Sequence, residues 1–226
     1  MPKTKAANTI SPVNQILEDH ISSYIMELIR CLVMLDKIKI GEAVGILTQA
    51  YRDGKKVFII GNGGSASNAS HMSCDLSKGT LSRIYDDSEP RFKAYSLTDN
   101  VAIMTAFGND LSYEDIFVQQ LRNLVESGDV VIALSGSGNS PNVIKAVLYA
   151  RKCQAKTIGF LGFKTGGKLA AIVDCAVIAD SNKYGQCEDI QLILDHILTS
   201  WLAIVKAEHD NGNKGRRKAG RPRKTG

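Results

Sequence analysis

Lys56–Asp75 reads KVFIIGNGGSASNASHMSCD. It opens on an apolar, largely β-branched run, Val57-Phe58-Ile59-Ile60, breaks at Gly61-Asn62-Gly63-Gly64-Ser65, and resumes as a small, polar, helix-compatible segment. A strand, a glycine loop and a helix start in that order are what open α/β sheets use to hold a phosphorylated ligand. Glycine lets the backbone come close to the ligand, and the first helical turn has spare N–H donors for an anion. The loop is neither a complete GxGxxG nor a P-loop, so on its own it is a weak signal. On the following helix His71 and Asp75 stand four residues apart and share a face, which strengthens it.

Working outward, apolar runs and helical patterns alternate. Strands are predicted over Lys56–Ile60, Phe92–Leu97, Val130–Leu134, Lys156–Leu161 and Cys175–Ala179. Helices are predicted over Ala66–Ser77, Asn100–Phe107, Tyr113–Glu126, Pro141–Lys152, Lys168–Ile172 and Glu188–His209, with a loop over Lys78–Arg91 and a turn at Gly108-Asn109-Asp110. Two further helices, Pro12–Lys37 and Gly41–Tyr51, precede the first strand. Five buried-looking strands separated by helices imply an α/β fold: a three-layer, doubly wound, five-stranded parallel sheet with an N-terminal helical extension. In the first helix Leu17, Ile21, Ile25, Leu28 and Leu32 recur at three- and four-residue spacing, so its apolar stripe needs the sheet or another subunit as partner. At 226 residues the expected organisation is a polar, disordered 1–11, a single domain over 12–209 and a disordered tail over 210–226.

A second glycine–serine loop, Ser135-Gly136-Ser137-Gly138-Asn139-Ser140, follows the third strand and runs into Pro141 at a helix start. Three hydroxyls and free N–H groups at a helix N-terminus cradle a phosphate monoester with neutral donors. The bland alternative is a surface turn, since Gly and Ser are default turn residues; the position at the carboxyl end of a strand favours the cradle. His71 and Asp75 form a metal pair, an acid/base pair, or a packed pair with neither role. Glu188 and His196, eight residues apart on the last helix and so about 12 Å along its axis, add a second His and a second carboxylate. Two His and two carboxylates on two helices make a plausible zinc site, with Glu188 reaching down from the first turn or serving another subunit. Flanked by Leu194, Ile197 and Leu198, His196 is expected to be buried or in a cleft.

Composition sets the remaining bounds. The apolar fraction is 44% and the charged fraction 23%, ordinary for a folded domain. No apolar run of about 18 residues and no apolar leader is visible, so the chain is expected to be cytoplasmic with no membrane span. The five scattered cysteines contain no CxxC and are expected to be free thiols. Net charge is +5, but seven basic residues and no acid lie in Asn211–Gly226, leaving −2 for the rest; only the tail could touch nucleic acid. Its Gly220-Arg221-Pro222 core looks like a minor-groove hook, yet a solubilising tail is the favoured reading, because one short hook binds DNA weakly.

The motifs together give a more specific resemblance. GNGGSASNASH, Thr98-Asp99 with GND at Gly108–Asp110, ESGDVVIALSGSGNSPNVIKA and DHIL in the closing helix resemble the sugar isomerase (SIS) domain family, and within it the phosphoheptose isomerases, from about Asn14 to Lys206. The resemblance implies a flavodoxin-like order of strands. It also implies a homotetrameric cytoplasmic enzyme that interconverts sedoheptulose 7-phosphate and a mannoheptose 7-phosphate with one Zn2+ per subunit. By motif, Asn62, Gly63, Gly64 and Asp99 match substrate-binding positions, and Ser135, Gly136, Ser137 and Ser140 match the phosphate loop. His71, Asp75, Glu188 and His196 match the metal ligands, Glu188 also facing substrate, with Asp75 and His196 as the catalytic acid and base.

Three residues depart from the family pattern: Asp75 replaces Glu and is one methylene shorter, Gly136 replaces a hydroxyl residue, and Glu188 replaces a neutral Gln. The alternative is a non-catalytic SIS scaffold resembling the replication-initiator-associating protein. Such relatives keep the loops and lack the complete metal set, so the presence of both His71 and His196 favours the enzyme. A sugar-phosphate-sensing regulator would require an attached DNA-binding domain.

Overall fold

The computed structural model describes residues 12–219. Residues 1–11 and 220–226, including the Gly-Arg-Pro core of the tail, lie outside the described residues. Five parallel strands form one sheet: β1 (Lys56–Gly61), β2 (Lys93–Ser96), β3 (Val130–Ser135), β4 (Lys156–Leu161) and β5 (Cys175–Ile178), in the order β2-β1-β3-β4-β5. The expected flavodoxin-like sheet is therefore present. Its strand order reverses between β1 and β3, and ligands of open α/β sheets bind at such a switch point.

Alternation along the strands explains the two-sided core. Val57, Ile59, Val130 and Ile132 face one layer, and Phe58, Ile60, Val131 and Ala133 face the other. The first layer holds α1 (Pro12–Val33), α2 (Lys37–Arg52), α3 (Gly64–Cys74) and α7 (Tyr184–Ala219); the second holds α5 (Val118–Leu124) and α6 (Pro141–Lys152). The remaining helix, α4 (Val101–Asp110), follows β2.

Several boundaries shift for local reasons. α1 ends at Val33 and α2 starts at Lys37 because the Asp36 carboxylate caps it, accepting from the N–H of Ile38 (2.9 Å) and Lys39 (3.2 Å). α4 begins behind the Asn100 cap, which accepts from Ile103 N–H at 3.1 Å, and it takes in Gly108–Asp110, where a turn was expected. The predicted helix over Tyr113–Glu126 is a short 3₁₀ turn, Tyr113–Asp115, followed by α5. α3 ends earlier than expected and passes into a single π turn, Asp75–Gly79; such turns in helices are frequent at functional sites. The last helix starts at Tyr184 rather than Glu188, and its backbone runs past residue 209 to Ala219.

The stretch Tyr184–Glu208 is long and apolar enough to cross a membrane by composition. Here it is a core helix: Ile190, Leu194, Leu198 and Leu202 are buried against the sheet. Farther along, Lys206 and Glu89 form an ion pair with both side chains almost fully buried. Glu89 also accepts from the backbone of Ser82 (2.9 Å) and Arg83 (2.6 Å), which ties the loop after the π turn down onto α7. α1 leaves Ile21, Ile25, Met26, Ile29 and Val33 exposed in the single chain.

Candidate active site

Two glycine loops leave the carboxyl ends of neighbouring strands β1 and β3 and enclose a cavity of about 310 Å³. Asn62, Gly63, Ser135, Gly136, Ser137, Ser140 and Glu188 line it, so the structure brings together seven of the residues singled out in the sequence. Among the described residues, no Lys or Arg lines the cavity. The Ser135 hydroxyl accepts from Gly138 N–H (3.0 Å) and the Ser137 hydroxyl from Asn139 N–H (3.2 Å). Both hydroxyls thus shape the loop as acceptors and keep their O–H donors for an anion. Ser140 stands at the N-cap of α6 without a side-chain capping bond, beside a helix end that attracts negative charge. At Gly138 φ is +62°, and a side chain there would strike the Gly166 carbonyl, so the loop turn requires glycine.

The two loops are tied to each other. Asn62 and Asn142 exchange amide hydrogen bonds at 2.9 Å in both directions, and Tyr113 donates to Asn62 Oδ1 at 3.1 Å. Tyr184, which the sequence reading did not single out, also lines the cavity. A Cβ on Gly136 would come to 3.0 Å from its ring, and Phe163 braces that ring edge-on at 4.8 Å. The aromatic ring takes the space a hydroxyl residue at 136 would need, which gives the departure at Gly136 a physical reason.

α3 and α7 run side by side in the same direction, and polar ties fix their register. Ser65 donates to Gln191 Oε1 (2.9 Å), Asn68 donates to the Glu188 carbonyl (2.9 Å), and Gln191 donates to the Phe160 carbonyl (3.2 Å). Glu188 packs directly over Gly64, where any side chain would collide with its carboxylate. Two to three turns farther along, His71 Nε2 and His196 Nε2 are 3.1 Å apart, and Asp75 Oδ2 lies 3.5 Å from the first and 3.7 Å from the second. Three donor atoms on one tetrahedral Zn2+, with bonds of about 2.0–2.2 Å, would be separated by roughly 3.3–3.5 Å. The observed spacings bracket that value, so His71, Asp75 and His196 fit a divalent cation without rearrangement of the backbone.

The expected placement of the site residues is met in part. His196 is not buried: its side chain is 53% exposed and that of His71 46%. The helical phase of α7 turns Leu194 and Leu198 inward and His196 outward. Glu188 does not join the histidines within one chain; it faces the cavity beside the serine loop. Asp99, in the turn after β2, accepts from Ser70, the residue before His71. Thr98 bonds the same serine at 3.1 Å.

In place of Glu188, Asp195 approaches the cluster. His71, Asp75, Asp195 and His196 each offer a ligand atom, and these atoms all lie within 4.8 Å of one another. Asp195 is 2% exposed, and neither of its oxygens has a hydrogen-bond partner. Burial pushes its carboxyl up to about 7, and the charge on Asp75 pushes the same way. The sequence carried a signal for it. Cys187, Ile190, Gln191, Leu194, Leu198 and Leu202 mark the buried stripe of α7, and Asp195 falls within that phase.

Two glycine–serine loops at the switch point of a parallel sheet, joined along two helices to a His/carboxylate cluster, make an arrangement that can hold a phosphorylated ligand. Residues 22–162 match the SIS domain. The phosphoheptose isomerase of Rhodospirillum rubrum is 35% identical over 184 residues, 80% of this chain and 95% of that one. The phosphoheptose isomerase of Aquifex aeolicus is 38% identical over 170 residues, 75% of this chain and 86% of that one. Among solved structures, the phosphoheptose isomerase of Neisseria gonorrhoeae superimposes with a TM-score of 0.74 at 28% identity, covering 82% of this chain and 98% of that one. The chain belongs to the SIS domain family, in its phosphoheptose isomerase branch.

Proposed function

We propose that this chain is an aldose–ketose isomerase that interconverts sedoheptulose 7-phosphate and D-glycero-D-manno-heptose 7-phosphate for heptose biosynthesis. The observation that carries this reading is the Asp75 carboxylate set against both imidazoles, 3.5 and 3.7 Å away, at the end of the helix whose N-terminal loop, with Asn62 and Gly63, lines the same cavity as the serine loop. The serine loop anchors the phosphate, which does not react, and so orients the other end of the sugar. Asp75 takes a proton from C1 of the ketose as the C1–C2 double bond forms and the C2 carbonyl becomes an oxyanion. His196, whose Nε2 faces His71 and Asp75, protonates that oxygen from Nδ1, giving the enediol. Asp75 returns its proton to C2 while the C1 hydroxyl loses one to His196, leaving the aldehyde and restoring both groups.

His71, Asp75 and His196 would hold the cation, which we take to be one Zn2+ per subunit, and it would supply Lewis-acid polarisation of the sugar oxygens. The five free cysteines accord with a reducing, cytoplasmic setting. The apolar face of α1, unpartnered in a single chain, supports assembly into a homotetramer. DNA contact by the basic tail is not favoured.

The test is isomerisation of sedoheptulose 7-phosphate by the purified chain with added Zn2+, alongside melting curves. Asp75→Asn and His196→Ala should lose roughly 10²–10⁴-fold in kcat, with melting unchanged, because both side chains lie outside the packed core. Ser137→Ala should act chiefly on KM, because the hydroxyl binds the unreactive phosphate. A wild-type chain that turns over no phosphorylated heptose would overturn the reading in favour of a scaffold.

A further inference from the structure

We infer that Asp195 supplies a second carboxylate to the cation site, so that within one chain the divalent metal is bound through His71, Asp75, Asp195 and His196. The inference rests on the cation-site part of the functional reading and is independent of which sugar is the substrate.

The first observation is the state of Asp195 itself. It is 2% exposed, and both of its oxygens lack a hydrogen-bond partner. An ionised carboxylate out of water without a partner costs several kcal/mol, so native proteins pair such groups or place them on metals. Its neighbour in the same buried stripe shows the contrast. Gln191, one turn earlier, has its amide satisfied by Ser65, Asn68 and the Phe160 carbonyl. Asp195 is an acceptor with nothing to accept from, beside two imidazoles and a second carboxylate.

The second observation is position. The ligand atoms of the four residues all lie within 4.8 Å of one another, and three of them already stand 3.1–3.7 Å apart. Asp75 and Asp195 repel each other when both are ionised. A dication between them removes that repulsion and makes the site neutral: two negative carboxylates, two neutral imidazoles and two positive charges. Glu188, by contrast, lies over Gly64 in the cavity wall, about 12 Å up the helix axis from His196. Within one chain it does not reach the cluster. A set of two imidazoles and two carboxylates accepts Zn2+, and by ligand type also Mn2+ or Fe2+.

The experiment uses the full chain, freed of metal by chelation and titrated with Zn2+ and Co2+. Asp195→Asn keeps the side chain's shape and removes a buried charge, so the metal-free variant should melt no lower than the wild type. It should bind Zn2+ at least 10-fold more weakly, whereas Glu188→Gln should bind within about 3-fold of the wild type. To separate a direct ligand from a supporting group, Asp195→Cys and Glu188→Cys are loaded with Co2+. A thiolate-to-cobalt charge-transfer absorption is expected in the first and absent in the second. Wild-type Zn2+ affinity in Asp195→Asn, or the absorption appearing with Glu188→Cys and not with Asp195→Cys, overturns the inference. A chain that shows the expected metal pattern but isomerises no heptose phosphate keeps the ligand assignment and loses the sugar reading. Turnover with metal binding indifferent to Asp195 does the reverse.

Discussion

Replacing Glu89 by Gln removes one half of an ion pair whose other half, Lys206, has nowhere else to go. The two side chains are 1% and 2% exposed. The ammonium would be left buried against an amide, and breaking a buried pair from one side typically costs about 3–5 kcal/mol. Lys206→Met should cost less, because the carboxylate keeps the bonds from Ser82 and the Arg83 N–H and the Arg83 guanidinium 3.9 Å away. The double replacement Glu89→Leu with Lys206→Met removes both charges and should lie within about 1–2 kcal/mol of the wild type, so the singles and the double are strongly non-additive. The pair also has a pH signature. Burial would raise the Glu89 carboxyl, but the bond from Lys206, the backbone N–H groups of Ser82 and Arg83 and the Lys206 charge outweigh it and hold the group at about 2, below its ordinary 4.5. A depressed carboxyl stabilises the fold above the unfolded value and stops doing so as pH falls through the folded one. The pair's contribution is therefore full above about pH 4.5 and lost progressively toward pH 2. Urea melts of the four proteins at one fixed protein concentration, repeated between pH 7 and pH 3, measure both effects. Singles costing under about 1 kcal/mol, or costs that simply add in the double, would refute the reasoning.

Gly64→Ala places a methyl group where the Glu188 carboxylate lies. Glu188 is half-buried at the cavity wall and can swing away, so stability should change by no more than about 1 kcal/mol, while KM for the sugar phosphate rises; an unchanged KM would show that Glu188 does not face substrate. In solution the chain should scatter light as a species close to four times 24.5 kDa, and a persistent monomer at micromolar concentration would remove the argument from the α1 face.

Much of the molecule follows from local pattern. Runs such as Val57–Ile60 and Val130–Leu134 alternate between two cores and so must be central strands. The loops after β1 and β3 are glycine- and serine-rich where the backbone turns to line the cavity, and this is readable residue by residue. The i, i+4 spacing of His71 and Asp75 places them on one face of a helix wherever that helix sits. What the sequence could not decide is how α3 and α7 lie against each other. Their parallel register comes from packing and from ties 120 or more residues apart in the chain, such as Asn68 to Glu188 and Ser65 to Gln191. That register puts Glu188 at the cavity end and His196 at the cluster end. It also separates two residues that motif alone had grouped. Residue type alone does not single out Asp195, since a charged side chain ordinarily sits at the surface, whereas the helical phase set by Ile190, Leu194 and Leu198 carries it into the core. Helical phase is a local property. Whether a buried carboxylate meets a cation or a void depends on which helix is packed opposite, and only the tertiary structure supplies that.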